Sequence, residues 1–277
     1  MLIVPALVFV LAILGYGVIQ AFINSLHDVH MLRVEQPFVG FRNYIRLFQE
    51  PRFINSVQRS LIFVASSVIL ATALALVGAL SLYRLTRLQG ISQAMSLIPY
   101  FVSGIAAAVS WRFMFVGEGG LINLMVTMMG GQALSWLGHP GRAMAVVVMA
   151  NVWRIAPFSV LIILSGLQTI DTDLFDAADI DGASGFKKFY RVTLPLIAPM
   201  MGVSFVWLNF SSFNMFDVVL AMTGGAPLGA TDLMALHLYR MAFQRLDFSG
   251  ASAVMIMLLF INVLVSVVSI KFSRSRQ

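Results

Sequence analysis

Apolar residues in this chain neither alternate with polar ones nor form narrow helical stripes. They gather in six runs, residues 2–23, 61–82, 91–110, 143–164, 200–223 and 250–270, each 20 to 24 residues long and almost free of charge. A hydrocarbon layer about 30 Å thick is crossed by about 20 helical residues, so every run is long enough to span it. The pattern predicts an all-α membrane protein with six transmembrane helices, organised as one transmembrane domain over residues 1–277. The first run resembles a signal peptide in position, but it exceeds the usual apolar core of about 7 to 15 residues and no basic stretch precedes it. It is read as a retained helix, and the missing basic flank leads to the expectation that the natural chain starts further upstream.

The connections carry patterns of their own. Between Phe38 and Asn55, apolar Phe41, Tyr44, Ile45, Phe48 and Phe53 are interleaved with Arg42, Arg46 and Arg52. This suits either a helix lying at the membrane interface or a loop folded back on its own bundle. Residues 121–129 form a short apolar piece between paired glycines, expected along the outer surface. The fourth-to-fifth connection, residues 169–199, reads as two short helices. Leu174, Phe175, Ala177, Ala178 and Ile180 give one apolar face, Gly182 a turn, and Phe186, Phe189, Tyr190 and Val192 a second face. Ser184 is placed to cap the second helix and Pro195 to end it. Small residues at Ala177, Ala178, Gly182 and Ala183 let another surface approach the backbone, so the segment is a helix–turn–helix docking element.

Composition narrows the chemistry. Hydrophobic residues make up 59% of the chain and charged ones 11%, far from the roughly one quarter charged of a soluble domain. The formal charge of +6 fits the basic excess of membrane-protein loops, and nucleic acid is given little weight. No cysteine is present, which removes disulfides, thiolate metal sites and cysteine nucleophiles. His27, His30, His139 and His237 fall outside the runs and are read as surface or interfacial residues. Six spans put both termini on one side, with eight basic residues there (Arg84, Arg87, Lys187, Lys188, Arg191, Lys271, Arg274, Arg276) and nine on the other. Their density in the tail favours cytoplasmic termini. Seventeen methionines fit adaptable helix packing better than a soft-metal path.

The 169–199 connection resembles the signature loop of binding-protein-dependent ABC transporter inner-membrane permeases. That pattern is Glu-Ala-Ala, three residues, Gly, nine residues, Ile, one residue, Leu-Pro. Here it stands as Asp176-Ala177-Ala178, Gly182, Val192 and Leu194-Pro195 with every spacing kept, Asp replacing Glu and Val replacing Ile. Residues 38–44, 151–157 and 223–227 fit the carbohydrate branch of the family, maltose and glycerol-3-phosphate types. The resemblance implies a permease paired with a second permease, a paralogue in preference to an identical copy. It also implies two cytosolic ATPase subunits, an external solute-binding protein, and an amino terminus in the cytoplasm of a bacterial inner membrane. Asp176, Ala177, Ala178, Asp179, Gly182, Ala183, Phe186, Leu194 and Pro195 then form the loop that couples to the ATPases. This chain has no phosphate-cradling Gly-x-x-x-x-Gly-Lys-Ser/Thr loop and binds no cofactor; ATP and Mg belong to the partner.

Polar residues at membrane depth are costly and mark candidate substrate contacts. On the fourth run Asn151, Arg154 and Phe158 share a helical face and offer an amide, a cation and a ring to a sugar. On the fifth, Asn209, Ser212, Phe213, Phe216 and Asp217 read as one stripe. The family resemblance places both stretches beside the solute. For each set a duller reading stands beside it: Arg154 pairs with Asp217, and the Asn and Ser side chains hold helices together. The function expected is the transmembrane permease of an ATP-driven sugar importer, with a sugar phosphate or polyol as the alternative cargo. A secondary transporter is more distant, since Asp217 alone would serve as an intramembrane acid, and no paired carboxylates or catalytic triad point to an enzyme.

Overall fold

The computed structural model describes residues 3–29, 35–85 and 88–274. His30, Arg87 and Arg276, named above, lie outside the described residues. The order is α1 (Ile3–Ser25), α2 (Arg42–Gln49), α3 (Pro51–Tyr83), α4 (Gln89–Ser96), α5 (Ile98–Phe101), α6 (Gly104–Phe115), α7 (Leu121–Met128) and α8 (Pro140–Leu167). Then come α9 (Thr172–Ile180), α10 (Gly185–Lys188), α11 (Leu194–Phe213), α12 (Asp217–Met222), α13 (Met234–Tyr239) and α14 (Phe248–Arg274). Two π-helical turns, Phe189–Thr193 and Arg240–Gln244, lead out of α10 and α13.

Four helical stretches are long and apolar enough to cross a membrane: Pro51–Tyr83, Pro140–Leu167, Gly185–Phe213 and Phe248–Ser269. Proline at the first helical position of α3 and α8 sets two of the starts, where no amide donor is needed. Two predicted spans differ from expectation. The run 91–110 is not one helix: it breaks between Phe101 and Gly104 and turns by 86°. The run 200–223 ends as a helix at Phe213, and the chain restarts at Asp217. Polar residues are scattered along both segments, Ser92, Gln93, Ser96 and Ser103 in the first and Asn209, Ser212, Asn214 and Asp217 in the second, so hydropathy alone does not single out the breaks.

The centre of the bundle is α8, whose apolar window is 67% buried against 28 to 33% for the other three. Helix α3 lies along it through Ser67, Ala71, Ala75 and Ala79, all buried, and Gly78 meets Val160, so the two backbones approach closely. Helix α11 covers another side of α8, where Gly166 accommodates Met200. Helix α1 runs against α14.

The Phe38–Asn55 stretch packs one side on its own bundle. Leu47 and Phe53 are buried in the bundle, while Phe41, Ile45 and Phe48 face outward. Asn43 ties α2 to the end of α1 by donating from Nδ2 to the carbonyls of Ser25 and His27 at 2.8 and 3.0 Å. A second asparagine fastens the turn after α6. Asn123 is buried, donates to the carbonyls of Gly117 and Leu134, and accepts from the Leu134 amide and Trp136 Nε1. Replacement of Asn123 by Leu strands those groups. A loss of about 2–4 kcal/mol in SDS-unfolding stability is expected, from roughly 1–3 kcal/mol per stranded buried group.

Opposite the α9–α10 end, residues around α13 are clamped by charge. Asp232, almost fully buried, pairs with Arg240 at 2.8 Å, and Arg240 Nη2 also donates to the Gly224 carbonyl. Arg245 pairs with Glu50 at 3.0 Å. His237, expected at a surface, is instead buried, with Nε2 4.0 Å from Glu50 and its ring against Phe53. The correction has a long-range cause, because residues 50–53 cover it from α3. Burial pushes the imidazole below its ordinary value of 6.5, and the opposing charges of Glu50 and Asp232 do not reverse this. A depressed base is folded in its neutral form, so its contribution is fully present above pH 6.5 and is lost as pH falls through the lower folded value. The thermal midpoint in detergent should therefore drop on acidification below pH 6.5, and His237→Gln should flatten that slope.

Candidate functional site

Two regions carry the sequence-predicted site residues. The first is the knob between α8 and α11. Asp171 caps α9 by accepting from the Asp173 amide at 3.1 Å. The helix closes in a paired turn: Gly182 N–H donates to Asp179 O, and Ala183 N–H donates to Ala178 O, both at 3.0 Å. Gly182 sits at φ +68°, a conformation costly for side chains with a Cβ, and nothing lies within 4 Å of where that Cβ would be. The glycine is thus required by the backbone and also leaves the surface open. An ion pair between Lys188 and Asp179 joins the two helices across the turn.

Ala178 is buried beneath the knob, Ala183 is half-buried, and Asp176, Ala177 and Asp179 are exposed. Ile180 and Phe186 stand out at 87% and 75% exposure, the largest apolar projections of the segment. Ser184 occupies the capping position of α10, yet its side chain makes no capping bond. Pro195 does not end the helix as expected. The π turn before it, with Leu194 N–H reaching back to Phe189 O, shifts the carbonyl pattern by one residue, and the proline enters the first turn of α11. Leu194 and Pro195 line a largely apolar groove with Tyr190, Phe205 and Val265. Gly185 to Phe213 is therefore one mechanically continuous helix.

The second region lies where the broken helices meet α8. Asn151 is fully buried and donates to Ser212 Oγ at 3.2 Å, while its Oδ1 has no hydrogen-bond partner. Asn209 is buried and donates to the Phe205 carbonyl, and Phe213 is buried in the core. The structure thus brings Asn151 and Ser212 together and turns Asn209, Ser212 and Phe213 into the chain's own bundle. Arg154 does not pair with Asp217. Its Nη2 lies 3.9 Å from Met215 Sδ, and its Nε is buried without a partner. Asp217 starts α12, accepts from the Val218 amide at 2.9 Å and rests against Gly104. Phe216, 37% exposed, stacks on Tyr239.

Tyr100 and Trp207, not singled out by the pattern, complete this face around Phe158. Phe158 is stacked on Tyr100 with ring centres 5.2 Å apart and meets Trp207 at 4.6 Å, so three helices contribute one aromatic group. Along α11, Val203, Trp207, Phe210 and Asn214 recur at four, three and four residues, and all but the half-buried Trp207 are exposed. That spacing was available in the sequence. The apolar surroundings hid it, since polar Asn209 and Ser212 on the neighbouring face drew the eye.

Known proteins resemble this chain in sequence and fold. Residues 71–275 match the family described as binding-protein-dependent transport system inner membrane component. The chain is 35% identical to the trehalose/maltose transport system permease protein of Thermococcus litoralis over 280 residues, covering 100% of this chain and 94% of that one. It is 33% identical to the sn-glycerol-3-phosphate transport system permease protein of Yersinia pestis, over 91% of this chain and 86% of the relative. A bacterial ABC transporter that imports the acidic polysaccharide alginate has a subunit of the same fold, with TM-score 0.83 at 21% identity over 99% of this chain and 94% of that one. The chain is accordingly a transport component and not an enzyme, and ATP hydrolysis belongs to separate ATPase subunits. With its helix pattern, its knob and its match over three quarters of its length, the chain belongs to the multi-pass inner membrane components of binding-protein-dependent transport systems.

Proposed function

We propose that this chain is the permease subunit of an ATP-driven importer for a sugar, with six membrane crossings, both termini in the cytoplasm and the 169–199 knob on the same side. The bent pair α4–α6 makes one crossing and α1 the first. The observation that carries the reading is the knob: a glycine-closed turn that presents Ile180 and Phe186 outward and continues without interruption into α11. Apolar projections of that kind fit a cleft in an ATPase subunit. A push there is transmitted along Gly185–Phe213 to the break at 214–216, where α11 hands over to α12. Tilt of that helix against the fixed α8 exposes the solute path to one side and then the other.

The exposed face formed by α5, α8 and α11 is the side for a second permease, a paralogue of this chain, so that the path runs between the two. On this side Arg154, Phe158, Trp207, Phe210, Asn214, Phe216 and Asp217 offer rings, an amide and charges. Asn151, Asn209, Ser212 and Phe213 hold that lining from behind. Rings with a few polar groups suit a pyranose, which has apolar faces and a hydroxyl rim. A sugar in the trehalose or maltose size class is favoured by the relative in Thermococcus litoralis. The second reading, a sugar phosphate, rests on Arg154, whose charge has no partner carboxylate among the described residues.

Replacing Gly182 with Arg puts a long cation on an open surface and a Cβ at φ +68°. Sugar uptake in cells should fall by about tenfold or more, with equal amounts of the chain inserted, because docking and backbone are both disturbed. Gly182→Ala, which adds strain of about 1 kcal/mol without the charge, should fall between the two. ATPase subunits that still co-purify with the Arg variant while uptake stays unchanged would refute the docking role.

A further inference from the structure

The two helix breaks, at residues 102–103 and 214–216, meet each other. Asp217 is packed so tightly on Gly104 that a Cβ at position 104 would fall 1.6 Å from Asp217 Oδ2. Gly104 is the first residue of α6, a twelve-residue helix whose Ser103 accepts from the Ala106 amide at 3.2 Å. The carboxylate therefore lies at the positive end of α6, and its other oxygen takes the Val218 amide. Close to the second break stand two unpartnered polar groups. Asn151 Oδ1 belongs to a fully buried side chain anchored on Ser212, and Arg154 Nε lies beside Met215. A helix end at a break is where transport proteins receive an anionic group of the solute. Here a side chain of the protein already fills it.

We propose that Asp217 makes the solute path selective for uncharged carbohydrates: its fixed carboxylate takes the helix-end position that a phosphate or other anionic group would need. Gly104 is the positioning partner, because the missing Cβ is what admits the carboxylate. Arg154 lies against Met215 and makes no ion pair with Asp217, so an uncharged solute meets donors and acceptors and an anionic one meets a like charge at Asp217. This inference rests on the sugar-importer reading and decides between its two cargo classes.

The test uses the complete transporter, this chain with its partner permease and ATPases, in lipid nanodiscs without a binding protein. The probes are trehalose and trehalose 6-phosphate, one sugar in uncharged and anionic forms, and the readout is the ratio of their affinities by saturation-transfer NMR. The native complex should bind the uncharged form about tenfold tighter or better, the scale a like charge imposes. Asp217→Asn keeps the size and removes the charge, and it should bring the ratio towards one. Asp217→Ser, smaller and uncharged, should do the same, with subunit co-purification reporting that each variant is assembled. Equal binding of the two probes by the native complex, or a ratio unmoved by either variant, would overturn the assignment while leaving the sugar importer standing. An assembled native complex that binds neither probe would overturn both.

Discussion

Close contact between α3 and α8 is the constraint on which the other helices depend. In a bilayer the lipid tails are as apolar as the side chains, so burial from water does not hold two spans together; dispersion between well-fitted surfaces does. Ser67, Ala71, Ala75 and Ala79 supply a small-residue face on α3, and Gly78 takes Val160 of α8 into the space of its missing side chain. Gly166 repeats the device between α8 and α11. With α8 gripped on two sides it becomes the fixed axis, and every residue assigned to the path is placed relative to it.

The breaks in the third and fifth spans raise a different demand. Backbone groups freed inside a membrane must find partners within the protein. Ser103 serves the start of α6, and Asp217 serves the start of α12 while lying on Gly104. Interrupted helices are thereby stabilised by polar atoms of the same residues that are proposed to give the path its chemistry. In contrast α8 stays helical through Pro157, although that residue has no amide to donate.

Much of this was legible in the chain. Run length gave the positions of α3, α8 and α14, the prolines at 51 and 140 marked helix starts, and Gly182 announced a turn that proved to be a left-handed helix end. Other features were not. The hydropathy of the 91–110 run does not single out a bend at 102–103, and Phe216 and Asp217 continue a helical stripe on paper while the chain has already left α11. The orientation of α11 was also hidden, because its polar Asn209 and Ser212 turn inward to the bundle while the exposed face is mostly apolar; hydrophobicity cannot separate a face turned to lipid or a partner from one turned to α8. His237 was misplaced for a related reason, since the residues that bury it come from position 50 onwards, far away in sequence. Pro195 misled because its effect on a helix depends on the turn before it.

That turn, Phe189–Thr193, has a consequence for how the chain can change over time. One residue more than an ordinary helical turn is stored there, and each residue of a helix advances the direction of the side chains by about 100°. The angular phase of α10 relative to α11 is therefore written in the length of five residues and is independent of the surfaces at either end. Deleting a single residue in that stretch would leave both helices intact and swing Phe186 to another side of the axis. Lineages of such proteins could re-aim the knob by changing chain length at one place, with no alteration to α11 itself.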